Sequence, residues 1–511
     1  MSNAQSPPRT PVCGIGASAG GVEALQQFFS ALAPDLGMAY VVIVHLAPDH
    51  KSELPAILGR GTTMPVTQVG DNQQQHLEPD HVYVIAPDRK LEITDSSVGA
   101  STFDEPRGKR AAIDLFFRSL AETHEDGFAV LLSGSGSDGA LGARAVRERG
   151  GLVLVQDPAE AAHGGMPHAV IAMGVADVVL PVRDLARRLG ELARIRRQLP
   201  VTKEPEAACV APPPDEEKAL KDVLEALRKR TGHDFSKYKR STVLRRLTRR
   251  LQLTHLDTIE EYATFLRTNG GEAQALLSDL LISVTAFFRD PESWNALQGL
   301  VLAPLVEHAG DGRQLRAWVP GCATGEEAYS LAMLLMEECE RCQRPPNFIV
   351  FASDVDEGAL AVAREGAYPH AISVDVSEAR LQRFFRIQDD QCRVVPDIRD
   401  RVVFAAHNLL RDPPFSRLDV ISCRNLLIYL GRDLQEQIMG VFRYAARDDG
   451  ALFLGASESA RNELFQPRDK RHRLFGMRPR DDGVRMPLLG VLSLPRERST
   501  RESRLPGRVR A

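Results

Sequence analysis

Three residues in the first part of the chain have the types needed for nucleophilic chemistry. Ser18 stands in the glycine-rich stretch "VCGIGASAGG" (12–21), after an apolar run and before a helical pattern. His45 closes the run "YVVIVHL", and Asp138 follows another run in "FAVLLSGSGSDGALGARAV". A serine hydroxyl needs an adjacent imidazole to take its proton, and the imidazole needs a carboxylate to fix its tautomer. Glycines around Ser18 permit a sharp turn, and the helix that follows offers N–H groups to an oxyanion. The same glycines fit a dinucleotide loop less well, because Ala19 takes the third glycine position and the second run ends in His45 rather than an acid. Each of the three residues alone also suits a helix cap or a polar surface group, so residue types by themselves leave all these readings open.

A second constellation lies beyond residue 310. "QLRAWVPGCATGEEAYSLAMLLM" reads as strand, glycine turn and helix, and "PNFIVFASDVDEGALAVA" as a strand with an acidic end, then a helix. Gly321 and Gly325 let a ligand approach the backbone at a helix start, and Asp354 is positioned to accept hydrogen bonds from ribose hydroxyls. No lysine follows the loop, so a triphosphate site is not expected. An adenosyl cofactor without phosphates fits better, while NAD stays open on pattern alone. The pair Cys339 and Cys342 in "CERC" has no second pair or histidine to complete four ligands, and no metal site is expected. Between Arg228 and Arg250 there are ten Lys or Arg against one Asp, and Leu244, Leu247 and Leu251 recur at helical spacing. Arg245, Arg246, Arg249 and Arg250 then form the cationic face of an amphipathic helix, read either as a solvated face or as a dock for an acidic protein surface. Aromatics for stacking bases are scarce there, so nucleic acid is not expected.

The elements that must position these residues follow from apolar patterning. At 511 residues the chain is too long for one domain. An apolar fraction of 43%, a charged fraction of 26% and a net charge of −4 are ordinary for a globular protein and argue against a global affinity for nucleic acid or anionic membrane. Seven scattered cysteines without a secretory signal suggest a reducing cytoplasm. No apolar run approaches the ~18 residues of a membrane span. Residues 1–10 and the arginine-rich 479–511 read as disordered, and the proline-rich 196–217 as a linker. Near-continuous valine- and isoleucine-rich strands separated by helices over 11–195 imply a doubly wound parallel sheet. A helical opening and a doubly wound pattern over 218–478 complete an α/β chain.

Several strings carry a resemblance. "CGIGASAGGVEAL", "VVIVHLAPDHKSELPAIL", "AAIDLFFRSLAE", "LLSGSGSDGALGARAV" and "HGGMPHAVIAMGVADVVLP" are similar, in order, to the catalytic domain of the chemotaxis methylesterase family, CheB. "LLISVTAFFRD", "GCATGEEAYSLAM", "VFASDVDEGAL", "HNLLRDPPFSRLDVISCRNLLIYL" and "GALFLGASES" resemble the chemotaxis receptor methyltransferase family, CheR, over about 220–477. The first resemblance implies hydrolysis of glutamate methyl esters on receptors, with Ser18, His45 and Asp138 at the family's triad positions. The second implies S-adenosyl-L-methionine as cofactor and receptor glutamate as acceptor, with Ser283, Thr285, Arg289, Glu327, Asp354, Asn408, Leu409, Arg424 and Asn425 at cofactor-contact positions. It also implies a division into a small all-α domain (218–290) and a Rossmann-like domain (291–478) with a small β-subdomain.

Arg289 and Tyr429 are candidates to steer the acceptor carboxylate, and the cationic helix is expected to lie along the receptor's cytoplasmic helices. Three positions depart from the families: Ala19, Ser135 and Ser283. The esterase's usual receiver domain is expected to be missing, which points to a separate response regulator as partner. The stretch "RFFRIQDDQCRVVPDI" is short and lacks glycines, so dependence on a receptor tail peptide is not expected. The expectation is thus a bifunctional enzyme that adds and removes receptor methyl esters. The competing expectation is a scaffold in which one or both halves are inactive.

Overall fold

The computed structural model describes residues 9–45, 53–70, 74–94, 96–103, 110–124, 127–198, 214–281, 285–310, 312–388 and 391–479. Ser283, nearly all of the expected N-terminal and C-terminal disordered stretches and most of the expected linker lie outside them.

The first half is built on a seven-stranded sheet whose spatial order is Val178–Leu180, Leu152–Gln156, Phe128–Leu131, Val12–Ala17, Ala39–Val44, His81–Val84, Val66–Gln68. All of its pairings are parallel. Val12–Ala17 and Ala39–Val44 are buried along their whole length, as central strands covered on both faces must be. The chain order reverses at Val12–Ala17, which lies between strands reached by opposite crossovers, and a ligand crevice forms outside the carboxyl ends at such a point. A separate antiparallel sheet of Gln74–His76, Ser97–Thr102 and Arg89–Thr94 was not anticipated in the sequence. Its Leu91, Ile93, Val98 and Ala100 pack into the core beside helix Ala112–Thr123.

Four helices, Pro214–Thr231, Arg240–Thr254, Ile259–Thr268 and Gly270–Leu280, enclose a core of Val223, Leu227, Leu247, Leu251 and Leu276. Thr258 and Asn269 cap the last two, each accepting backbone N–H bonds from the first turn. The third part holds a seven-stranded mixed sheet, ordered Val402–Ala406, Phe348–Asp354, Leu315–Pro320, Leu418–Cys423, Ala446–Leu454, Leu474–Met477, Phe465–Asp469. A three-stranded antiparallel sheet of Ala367–Pro369, Gln391–Val394 and Phe385–Gln388 stands beside it.

The halves share packing. Leu141 joins the hydrophobic cluster of the third part, and Leu253 packs against the cluster of the first. Among the described residues no helix is long and apolar enough to cross a membrane.

Candidate active sites

Strand Val12–Ala17 delivers Ser18 to the sheet edge, and helix Gly21–Ala31 begins three residues later. Between them Gly20 has φ +70°, and a Cβ there would come within 2.7 Å of the Ala162 Cβ, so only glycine fits the turn. The Ser18 N–H donates to the Ser133 carbonyl at 2.9 Å, tying the turn to the segment after strand Phe128–Leu131. His45 follows the neighbouring strand, and its Nδ1 lies 3.2 Å from the Ser18 Oγ. Its Nε2 is 2.9 Å from the Asp138 Oδ2. A carboxylate only accepts, so Nε2 carries the proton and Nδ1 is left to accept from the serine hydroxyl. Asp138 also accepts the N–H groups of Ile113 at 3.1 Å and Asp114 at 2.9 Å, at the start of helix Ala112–Thr123. The hydrogen bond to Asp138 raises the pKa of His45, burial opposes it, and the Asp138 charge adds to the rise. The three residues separated by 27 and 93 positions in sequence are therefore in register for proton transfer. Asp114 beneath them is fully buried and its carboxyl is pushed up by burial and by the Asp138 charge. Ala19 is partly buried in the turn and Ser135 is exposed.

The second site forms where strand Leu315–Pro320 meets helix Glu326–Arg341. The turn between them needs φ +68° at Gly321 and +96° at Gly325, and a Cβ on Gly325 would lie 2.9 Å from the Ala363 Cβ. Asp354 ends the adjacent strand; its two oxygens accept the N–H groups of Ala323 at 2.8 Å and Asp356 at 3.0 Å. A pocket of about 1020 Å³, including open solvent at its mouth, lies over this edge. Asp354, Asn408, Leu409, Arg424, Asn425 and Tyr429 line it, six of the positions singled out in the sequence. Thr285, Arg289 and Glu327 lie outside its lining. Glu327 accepts the Ser422 hydroxyl at 2.6 Å; burial pushes its carboxyl up to about 7, opposed by Arg424. Arg424 donates to the Arg289 carbonyl at 2.8 Å and pairs with Asp290 at 2.5 Å.

Sequence reasoning missed part of this pocket. His233, Asp234, Phe235 and Tyr238 of the helical part close one side, and His407 another. Glu458 accepts the backbone N–H groups of Asn425, Leu427 and Gly455 and so fixes the segment carrying Asn425, whose φ is +57°. "GASES" was the visible signal for Glu458; nothing in the local sequence points to the other five.

S-adenosylmethionine suits these residues. Asp354 holds backbone N–H groups of Ala323, Val355 and Asp356 and keeps acceptor capacity for a ribose hydroxyl. The Arg424 Nε and His407 Nδ1 are buried polar atoms with no hydrogen-bond partner, as expected of groups that meet a ligand. Glu327 is a carboxylate held at low polarity, suited to an ammonium.

The cationic face expected on helix Arg240–Thr254 requires correction. Arg246 and Arg249 are 3% and 1% exposed. Arg246 donates to the carbonyls of Arg147 and Glu148, and Arg249 is paired with both Asp177 and Asp279. Arg250 makes two 2.8 Å bonds to Glu272, and Arg245 is partly buried. The first half of the chain covers this face, so it is not an open dock for a receptor.

Comparison with known proteins matches both halves of the chain. The family model for CheB methylesterase matches residues 13–189. Those for the CheR methyltransferase all-alpha domain and SAM binding domain match 218–281 and 283–473. A 104.1 kDa protein of Rhodobacter capsulatus is 36% identical over 473 residues, 89% of this chain and 49% of that protein, so the chain spans about half of that relative. The chemotaxis protein methyltransferase 2 of Pseudomonas aeruginosa is 34% identical over 247 residues, 47% of this chain and 86% of that protein. The catalytic domain of the Thermotoga maritima CheB methylesterase is 29% identical, with 36% of this chain and 98% of that one covered and a TM-score of 0.33. The chain belongs to the CheR chemotaxis methyltransferase family and carries a CheB methylesterase domain ahead of its CheR domains.

Proposed function

We propose that this chain both methylates glutamate carboxylates on the cytoplasmic helices of chemoreceptors and hydrolyses the resulting methyl esters. The observation that carries the reading is the coexistence, in one chain, of an aligned Ser18–His45–Asp138 array and a pocket suited to S-adenosylmethionine. The reaction then takes place in the cytoplasm.

In the esterase, the Ser18 Oγ attacks the ester carbonyl while the His45 Nδ1 takes its proton. Asp138 holds the Nε2–H and stabilises the imidazolium. Methanol leaves with the proton returned by His45, giving an acyl-serine. Water, deprotonated by the same nitrogen, then attacks the acyl carbon and releases the carboxylate and Ser18. Backbone N–H groups of the turn that follows Ser18 would stabilise the developing oxyanion.

In the methyltransferase, the bound cofactor supplies a methyl group on a sulfonium, which a carboxylate attacks without prior deprotonation. The chain's task is therefore alignment. Asp354 accepts from the ribose and Glu327 meets the ammonium. Arg289 and Tyr429 steer the acceptor carboxylate; Arg149 and Arg246 lie near the Tyr429 hydroxyl and partly offset the rise in its pKa caused by burial.

The test uses receptor-bearing membranes and methyl-labelled S-adenosylmethionine, comparing the parent chain with Ser18→Ala. Label held on receptor glutamate by the variant, and lost as methanol with the parent, supports both activities. Equal stable label in both removes the esterase from the reading. No label in either removes the methyltransferase and favours a scaffold.

A further inference from the structure

Helix Ala140–Arg149 belongs to the esterase domain, yet its Arg144 reaches into the methyltransferase domain. The Arg144 Nη1 donates to the Glu326 Oε1 at 2.9 Å and Nη2 to the Thr285 carbonyl, while Nε faces the Glu148 Oε1 at 3.5 Å. The other oxygen of Glu326 accepts the Thr324 hydroxyl at 2.6 Å, within the Gly321–Gly325 turn of the pocket. One guanidinium thus joins the two backbone segments on which the cofactor site depends.

Both segments are strained. Phe288 and Asp290 have φ +48° and +58° on either side of Arg289, and Ala323 has +47° in the turn. Such a residue persists only when its surroundings over-determine it. Side chains that hold the 285–290 segment include Ser330, whose hydroxyl accepts the Phe288 N–H, Arg424, which bonds the Arg289 carbonyl and the Asp290 carboxylate, and Arg144, which bonds the Thr285 carbonyl. Of these, Arg144 comes from the other enzyme domain. The Arg144 side chain is 13% exposed and that of Glu326 is 2%, so the contact is shielded from competing water.

We propose that Arg144 of the esterase domain is a positioning residue of the methyltransferase, holding the Thr285–Asp290 segment and the Gly321–Gly325 turn in the conformation that binds cofactor. The proposal rests on the methyltransferase reading above. Arg144 itself does not touch the cofactor; it acts through Thr285 and, by way of Glu326, through Thr324. The methyltransferase of this fusion consequently depends on its esterase neighbour for full cofactor affinity.

Isothermal titration of the full chain with S-adenosylmethionine tests this, because it separates affinity from the fraction of competent protein. Arg144→Gln should raise the dissociation constant about tenfold at unchanged stoichiometry, the scale of one coupling in a charged network. Arg144→Lys, which keeps a donor, should recover part of the loss. Glu326→Gln should weaken binding in the same direction, and the double variant should lose less than the sum. Arg118→Gln removes the bidentate pair with Asp375 in the same interface, 2.7 and 2.9 Å, and should leave affinity within about twofold. Ester hydrolysis by Arg144→Gln should match the parent. An unchanged dissociation constant in both Arg144→Gln and Glu326→Gln overturns the proposal, and so does a fall in stoichiometry alone, which marks simple misfolding. A parent chain that binds no cofactor instead defeats the methyltransferase reading.

Discussion

His45 sits between an acceptor-only carboxylate and a hydroxyl, and that placement sets the pH dependence of ester hydrolysis. A general base works only when neutral, and the bond to Asp138 raises its pKa above that of ordinary imidazole. The acid limb of kcat/KM should therefore lie above the usual histidine range. Asp138→Asn should move that limb downward while lowering the rate roughly 10²–10⁴-fold; a limb that stays in place would detach Asp138 from His45. The linkage sign is fixed as well: a raised folded pKa stabilises the protein below the unfolded value and is lost as pH rises through the folded one. Stability from this pair and esterase activity thus change in opposite directions. On the proposed reading of the second site, the Glu327 carboxyl, at about 7, must ionise to receive the cofactor ammonium. Cofactor affinity should then rise between about pH 6 and 8, and Glu327→Gln should flatten the profile; a parent profile already flat would exclude Glu327 as the partner. The residues that meet in these sites stand at strand ends in short distinctive strings, which made them legible in the sequence. Phe235 and Tyr238 were not, because only tertiary packing brings the helical part to the pocket.

The sheets were legible at the scale of elements for a related reason. Strands such as Ala39–Val44 must be apolar throughout to be buried on both faces, and such short valine- and isoleucine-rich runs stand out in the sequence. The Arg89–Thr94 and Ser97–Thr102 hairpin was missed because it alternates buried and exposed positions and is rich in polar residues. Helix Arg240–Thr254 was recognised as amphipathic, but the partner of its arginine face was not. Arginine spacing looks the same whether the charge meets solvent, a receptor, or carboxylates such as Asp177, distant in sequence. Burial changes the consequence of mutation. Arg249→Leu removes the nearest cation from the buried Asp177 and Asp279, leaving them the longer contacts of Arg147 and Arg250, and should cost up to about 3 kcal/mol. Denaturant unfolding of the full chain would measure it. A loss under about 1 kcal/mol would mean that the pair stands open to water, as exposed pairs do.

At the scale of the whole molecule, the esterase and methyltransferase domains are joined as a folded unit rather than tethered. Leu141, three residues after Asp138, is 6% exposed and lies in the same cluster as Phe287 and Tyr329 of the methyltransferase. Leu253 makes the reciprocal contact with the esterase core. Around these apolar contacts stand the Arg118–Asp375, Arg144–Glu326 and Arg249–Asp177 pairs. A flexible linkage would leave each domain to unfold at its own temperature, whereas a shared core makes the loss of one domain expose the other. Calorimetry of the intact chain should accordingly show one transition. Leu141→Asp places a charge in the shared cluster with no cation provided for it, and should split the transition in two while each domain keeps its own sheet. Two separate transitions in the parent would show that the interface contributes too little to couple the domains. One transition in the parent and two in the variant would assign the coupling to this contact.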